Sequence, residues 1–278
     1  MDERIRYWLF RILSALQWYH GASTRYDIHS PYLSEFIREV YRDDRSFYAF
    51  GLIERIRKYW SQEKGMVRLR ELGAPSKTTS GRQRSAASLV RSSAIGSRSG
   101  RLLFRLALWL QPRRIVEFGT NAGISTLYLH LADTRTPLLT VEGNPDIAAL
   151  ARNTFARARV SSNLCLFTSR FTDWLADHRP KTTERTLFFL DGDHRSVPTL
   201  DYVRQMLPSA GPDSVFVIAD IHWSADMESA WADLKRLPEV RASLDLYHFG
   251  LLFLRPELNG PHLTLIPTRY KPWRIGFF

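Results

Sequence analysis

From Arg114 onward the chain alternates short apolar runs with helix-length amphipathic segments, and this alternation limits the fold more than any other feature. The runs Arg114–Phe118, Leu138–Val141, Leu164–Phe167, Thr186–Leu190, Ser214–Ala219, Arg241–Leu246 and Leu251–Leu254 have the length and composition of strands. Helical spacing fills most of the gaps, over Ile124–Leu131, Asp146–Ala158, Val197–Met206 and Asp226–Arg236. Such alternation implies an α/β fold, with a mostly parallel sheet covered by helices on both faces. The last two runs lie too close together for a crossover, so they form an antiparallel hairpin. Arrangements that are parallel throughout are thereby excluded.

The preceding residues divide by composition. Residues 1–73 read as an N-terminal helical region whose apolar positions, at helical spacing (Trp8, Ile12, Ala15, Leu16 and Tyr19, then Leu33, Phe36, Ile37 and Val40), dock it on a larger body. Ser30 and Pro31 have the chemistry of an N-cap and first helical position. Residues 74–100 are rich in serine and arginine and contain no acid, which suggests a solvated connector with a short helix near Ser85–Ile95. Residues 67–105 carry nine Lys and Arg against one acid, most of the excess behind the net charge of +11. That balance favours polyanionic partners, and a basic arm for RNA is one reading of it. Residues 101–256 form the α/β domain and 257–278 a C-terminal tail. No apolar run approaches the roughly 20 residues of a membrane span, and no signal-peptide pattern closes the N-terminal run, so a cytoplasmic location is expected. The single cysteine, Cys165, excludes an internal disulfide, and its apolar neighbours suggest a buried thiol on a strand.

The first strand runs into Glu117-Phe118-Gly119-Thr120-Asn121-Ala122-Gly123-Ile124-Ser125 and then directly into a helix. Gly119 permits a tight turn there, and Gly123 allows a ligand to approach the helix start. The second strand ends in Glu142, where a carboxylate can accept hydrogen bonds from both hydroxyls of a ribose. Nicotinamide dinucleotides and S-adenosylmethionine both use this layout. Glu117 would repel a pyrophosphate but suits a cationic amino group. The third glycine of the dinucleotide pattern is absent, as is any Tyr-x-x-x-Lys. The methionine-derived cofactor fits better.

EFGTNAGIS, TVEGNP, LFFLDGDHR and VFVIADIHW, in this order and spacing, resemble the class I S-adenosylmethionine-dependent methyltransferases. Within them the chain is most similar to the catechol O-methyltransferase-like and sugar O-methyltransferase group, over about residues 102–256. The resemblance implies a Rossmann-like seven-stranded sheet with a reversed last strand. It also implies Glu117 and Gly119 near the methionine moiety, Ser125 near its carboxylate, Glu142 on the ribose and Phe171 near the adenine. Asn121 and Gly123 complete the expected cofactor loop.

Asp191-Gly192-Asp193-His194 follows the fourth strand and Asp220-Ile221-His222-Trp223 the fifth, at the carboxyl ends where open α/β sheets bind ligands. Two carboxylates and an imidazole converging there suit a divalent cation such as Mg or Mn, which would acidify a substrate hydroxyl. The resemblance makes Asp191 and Asp220 ligands. Ile221 stands where an asparagine ligand is usual, which leaves His222 as a replacement, while His194 is a candidate general base. The expected activity is O-methylation of a small-molecule or sugar hydroxyl. RNA methylation through the basic arm, and a non-catalytic partner-binding protein that keeps the fold, are the alternatives.

Overall fold

The computed structural model describes residues 3–69, 83–160, 163–178 and 183–266. Helix α1 (Glu3–Gly21) is followed by α2 (Pro31–Phe36), which continues through a π-turn, and then by α3 (Tyr48–Gln62). As its sequence suggests, Ser30 caps α2 by accepting the Leu33 N–H at 3.4 Å, with Pro31 in the first turn. Strands β1 (Met66–Arg68) and β2 (Gln83–Ser85) pair antiparallel and lead to α4 (Ala86–Ser93) and α5 (Ser97–Leu110).

The α/β alternation then runs β3 (Arg114–Phe118), α6 (Ile124–His130), β4 (Leu138–Glu142), α7 (Pro145–Ala158), β5 (Leu164–Thr168), α8 (Phe171–Asp177), β6 (Thr186–Leu190), α9 (Ser196–Met206), β7 (Val215–Ala219), α10 (Ala225–Leu234), β8 (Ala242–Asp245) and β9 (Phe249–Phe253). A short β10 (His262–Thr264) ends the described chain. The main sheet has the order β10-β8-β9-β7-β6-β3-β4-β5. Among the described strands of this sheet, only β9 runs against its neighbours, as the short gap before it requires.

Side-chain alternation divides the core. Val116, Phe118, Phe188 and Phe216 pack beneath α8, α9 and α10. Ile115, Leu187, Phe189 and Val217 face the other way, onto α2 and α5. A further cluster joins Phe50, Ile53 and Trp60 of α3 to α4, α6 and α7. Helices α2 and α3 are therefore part of the same body as the sheet.

Four expectations change. The sheet has eight strands, because His262–Thr264 of the expected tail pairs parallel with β8. Of the basic segment 74–100, residues 74–82 lie outside the described residues; beyond them α4 forms where a short helix is expected, with Ala86, Ala87, Leu89 and Val90 buried. Cys165 is exposed, because β5 is an edge strand with a neighbour on one side only. Finally, α1 presents the face opposite to the apolar one expected to dock. Trp8, Ile12 and Leu16 are exposed, whereas Tyr7, Arg11, Ser14 and Trp18 turn toward the body. No described helix is long and apolar enough to cross a membrane.

Phe188 is fully buried on β6 and stacks on Phe216 of β7 at 4.3 Å and 10°. Phe188→Ala should cost about 3–5 kcal/mol, seen in urea titration as a lower midpoint at unchanged slope.

Candidate active site

Adjacent strands β3 and β6 end together, and the loops leaving them touch. The Asp191 N–H donates to the Phe118 carbonyl at 2.8 Å. Gly119 turns there with φ +98°, and a Cβ at this position would lie 2.1 Å from the Asp191 carbonyl oxygen. Only glycine lets the loops approach so closely. Between them opens a cavity of about 410 Å³, lined by Gly119, Asn121, Glu142, Phe171, Asp191 and Tyr202 among others.

Each expected cofactor residue has a definite place. The Glu142 carboxylate accepts the backbone N–H groups of Asn121 at 3.0 Å and Asn144 at 2.9 Å, so it shapes the rim while lining the cavity. Burial pushes its pKa up, and these N–H donors oppose the shift. Phe171 lies flat against Phe118, with ring centroids 4.7 Å apart, and forms one wall. Asn121 adopts φ +51° and ties the loop to α4 by donating its side-chain N–H to the Ser93 carbonyl. Gly123 serves packing rather than an open approach, since a Cβ there would lie 2.6 Å from the Phe155 ring of α7.

Glu117 and Ser125 lie beneath the cavity and do not line it. The Glu117 side chain is buried and accepts from Ser125 Oγ at 2.6 Å, Thr126 Oγ1 at 2.5 Å and Thr140 Oγ1 at 2.6 Å. Burial pushes its pKa up to about 7, against the pull of the three hydroxyls, with the charge of Asp191 adding a smaller upward push.

On the other side of Asp191, one ligand atom each from Asp191, His194 and Asp220 lie within 4.8 Å of one another. The His194 imidazole is 3.9 Å from the Asp191 carboxylate. Burial raises the Asp191 pKa, His194 counteracts it and Asp220 adds to the rise. Asp220 has φ +54°, and its N–H is held by the His248 carbonyl at 2.8 Å. His222 does not join the group. Its Nδ1 meets Glu228 at 2.7 Å and its Nε2 meets Asp245 at 2.8 Å, so both nitrogens already have partners and His194 is the third member instead. Asp193 accepts Tyr202 and pairs with Arg195, which makes it a loop brace.

Helix α1 reaches this side of the sheet. Ser14 Oγ hydrogen-bonds Glu228 and lies 3.3 Å from His222 Nδ1. Trp18 Nε1 donates to Asp245 at 2.8 Å, and Tyr7 meets Trp223 edge-on at 5.6 Å. Residues 7, 11, 14 and 18 share one helical face, a polar and aromatic stripe that the sequence displays but that apolar periodicity passes over.

Residues 116–221 match the family model described as a methyltransferase domain. Over 82 residues the chain is 32% identical to catechol O-methyltransferase B of Danio rerio, covering 29% of this chain and 31% of that protein. Over 134 residues it is 28% identical to catechol O-methyltransferase of Niastella koreensis, covering 46% and 58%. The chain thus spans less than two thirds of either relative. In fold it is similar to the O-methyltransferase TomG of Streptomyces achromogenes in complex with SAM, with TM-score 0.53, 19% identity and 81% and 94% of the two chains covered. A Bacillus cereus O-methyltransferase in complex with SAH gives 0.54, 15%, 80% and 96%. With the strand order and its one reversed strand, these likenesses show that the chain shares the fold of these O-methyltransferases, and the methyltransferase-domain match itself spans residues 116–221.

An acid whose pKa rises on folding contributes stability that is complete below its unfolded value and lost as the pH climbs through the folded one. For Glu117 that window runs from 4.5 to about 7. Glu117→Gln cannot ionise. The variant should therefore gain on the wild type by on the order of 3 kcal/mol between about pH 4 and about pH 8, measured by urea unfolding at each pH.

Proposed function

We propose that the protein is an S-adenosylmethionine-dependent O-methyltransferase acting on a small-molecule hydroxyl. The observation that carries this reading is the double position of Asp191. It lines the cofactor-sized cavity and belongs to the cluster with His194 and Asp220, so one residue separates nucleotide from acceptor. The cavity residues fit the cofactor. Glu142 offers a carboxylate to a ribose, Phe171 a flat wall to a base, and the Gly119 turn a close backbone approach. Bound there, S-adenosylmethionine supplies an electrophilic methyl group.

The remaining work falls to the chain. An acceptor hydroxyl placed between Asp220 and His194 gives its proton to the imidazole as its oxygen takes the methyl group. Asp191 steadies the resulting imidazolium. Holding the oxygen in line is itself worth several kcal/mol of barrier. The same three side chains form a donor set suited to a divalent cation, held by Asp191 and Asp220 with His194 as nitrogen ligand. A cation there would acidify the hydroxyl directly.

Transfer of label from methyl-labelled S-adenosylmethionine to deproteinised metabolites tests the activity; absence of transfer would refute it. Glu142→Ala should weaken cofactor binding by about 1.5–3 kcal/mol in calorimetry. Asp220→Ala should abolish transfer while leaving cofactor affinity close to wild type. Loss of activity on chelation, restored by Mg²⁺ or Mn²⁺, would assign the cluster to a metal; activity that survives chelation assigns the proton to His194.

A further inference from the structure

The surface beside the acidic cluster holds a cation that neither the fold nor the methyl transfer explains. Arg11 of α1 lies over the Trp223 ring at 5.3 Å and over the Tyr247 ring at 5.9 Å. It also hydrogen-bonds Tyr7, and its charge acts on both Tyr7 and His248, the residue whose carbonyl holds Asp220. Arg11 has no ion-pair partner among the described residues. Arg105 with Asp43 and Arg114 with Glu184 show the ion-paired alternative elsewhere in the fold.

A guanidinium laid on aromatic rings keeps its planar fork of donors free and loses part of its hydration, which suits it to a carboxylate or phosphate. Trp223 also faces His194, with ring centroids 6.5 Å apart, so one indole touches both the proposed base and the arginine. We infer that Arg11 binds an acidic group of the acceptor, and that the substrate is a hydroxyl compound bearing a carboxylate or a phosphate. The inference rests on the methyl-transfer reading above. It gives the acceptor two ends: the hydroxyl lies among Asp191, His194 and Asp220, and the acid lies away from those carboxylates, on α1. The repulsion between the acid and the two aspartates would disfavour the reversed orientation.

The test uses the full chain, methyl-labelled S-adenosylmethionine and a deproteinised metabolite extract, with labelled products separated by anion exchange at neutral pH. Labelled products should be retained, and treatment with phosphatase distinguishes a phosphate from a carboxylate. Arg11→Gln should lower labelling about tenfold or more at fixed extract, with recovery as the extract is concentrated, because the loss falls on acceptor KM. Arg11→Lys should recover part of it. Trp18→Phe removes the α1 hydrogen bond to Asp245 while keeping an aromatic ring beside Tyr247, and so separates recognition from docking. Label in neutral or cationic products, equal labelling by Arg11→Gln, or an equal loss in Trp18→Phe would overturn the inference and leave the methyltransferase reading standing. No transfer by the wild type, with cofactor binding intact, would overturn both.

Discussion

Three hydroxyls meeting one buried carboxylate hold the cofactor side of this fold together. Glu117 belongs to the strand that starts the sheet's central crossover, Ser125 and Thr126 to the first turn of the following helix, and Thr140 to the neighbouring strand. Through them the floor of the cavity is fixed before any ligand arrives. The arrangement also explains why a carboxyl group sits at a position with no exposure. It is a satisfied acceptor in a dry site, and removing one partner would leave a costly orphan. The turn at Gly119 then brings the β3 and β6 loops into contact over this floor.

The acceptor side is built differently, from groups far apart in the chain. His222 stands between Glu228 and Asp245, with Ser14 and Trp18 of α1 on the same network. Burial alone would lower the imidazole's pKa, but the two carboxylates outweigh it and leave the pKa above its ordinary value. Charge-assisted bonds of this kind are shorter and stronger than neutral ones. They anchor a helix whose outer face is exposed apolar surface and whose inner face is polar.

Most of the sheet was legible because buried parallel strands read as unbroken apolar runs with turn residues between them. The strand-end loops were legible for a related reason: Gly119, Glu142, Asp191 and Asp220 all follow such runs directly. What escaped has no local period. The docking of α1 depends on pairs separated by 208 to 227 residues, and nothing near Ser14 or Trp18 announces them. Its apolar stripe pointed to the wrong face. The three residues of β10 are too few to carry a pattern, and Cys165 has a core residue's neighbours on an edge strand. For His222, proximity to Asp220 in sequence suggested a shared ligand, whereas the backbone turn after β7 directs the imidazole to Asp245.

That separation along the chain has a consequence for how the molecule is made. Helix α1 is synthesised more than 200 residues before the groups that hold it. At ribosomal rates of roughly 5–20 residues per second, it waits on the order of tens of seconds for them to emerge. Throughout that interval Trp8, Leu9, Ile12 and Leu16 have no body to shelter beside, and even afterwards they remain outside it. The nucleotide half can assemble from neighbours as they appear, but the acceptor half closes only when the early helix meets the late hairpin. A nascent chain stalled before β9 would hold a nearly complete cofactor floor, but β8, which carries Asp245, would have no strand to join it to β7.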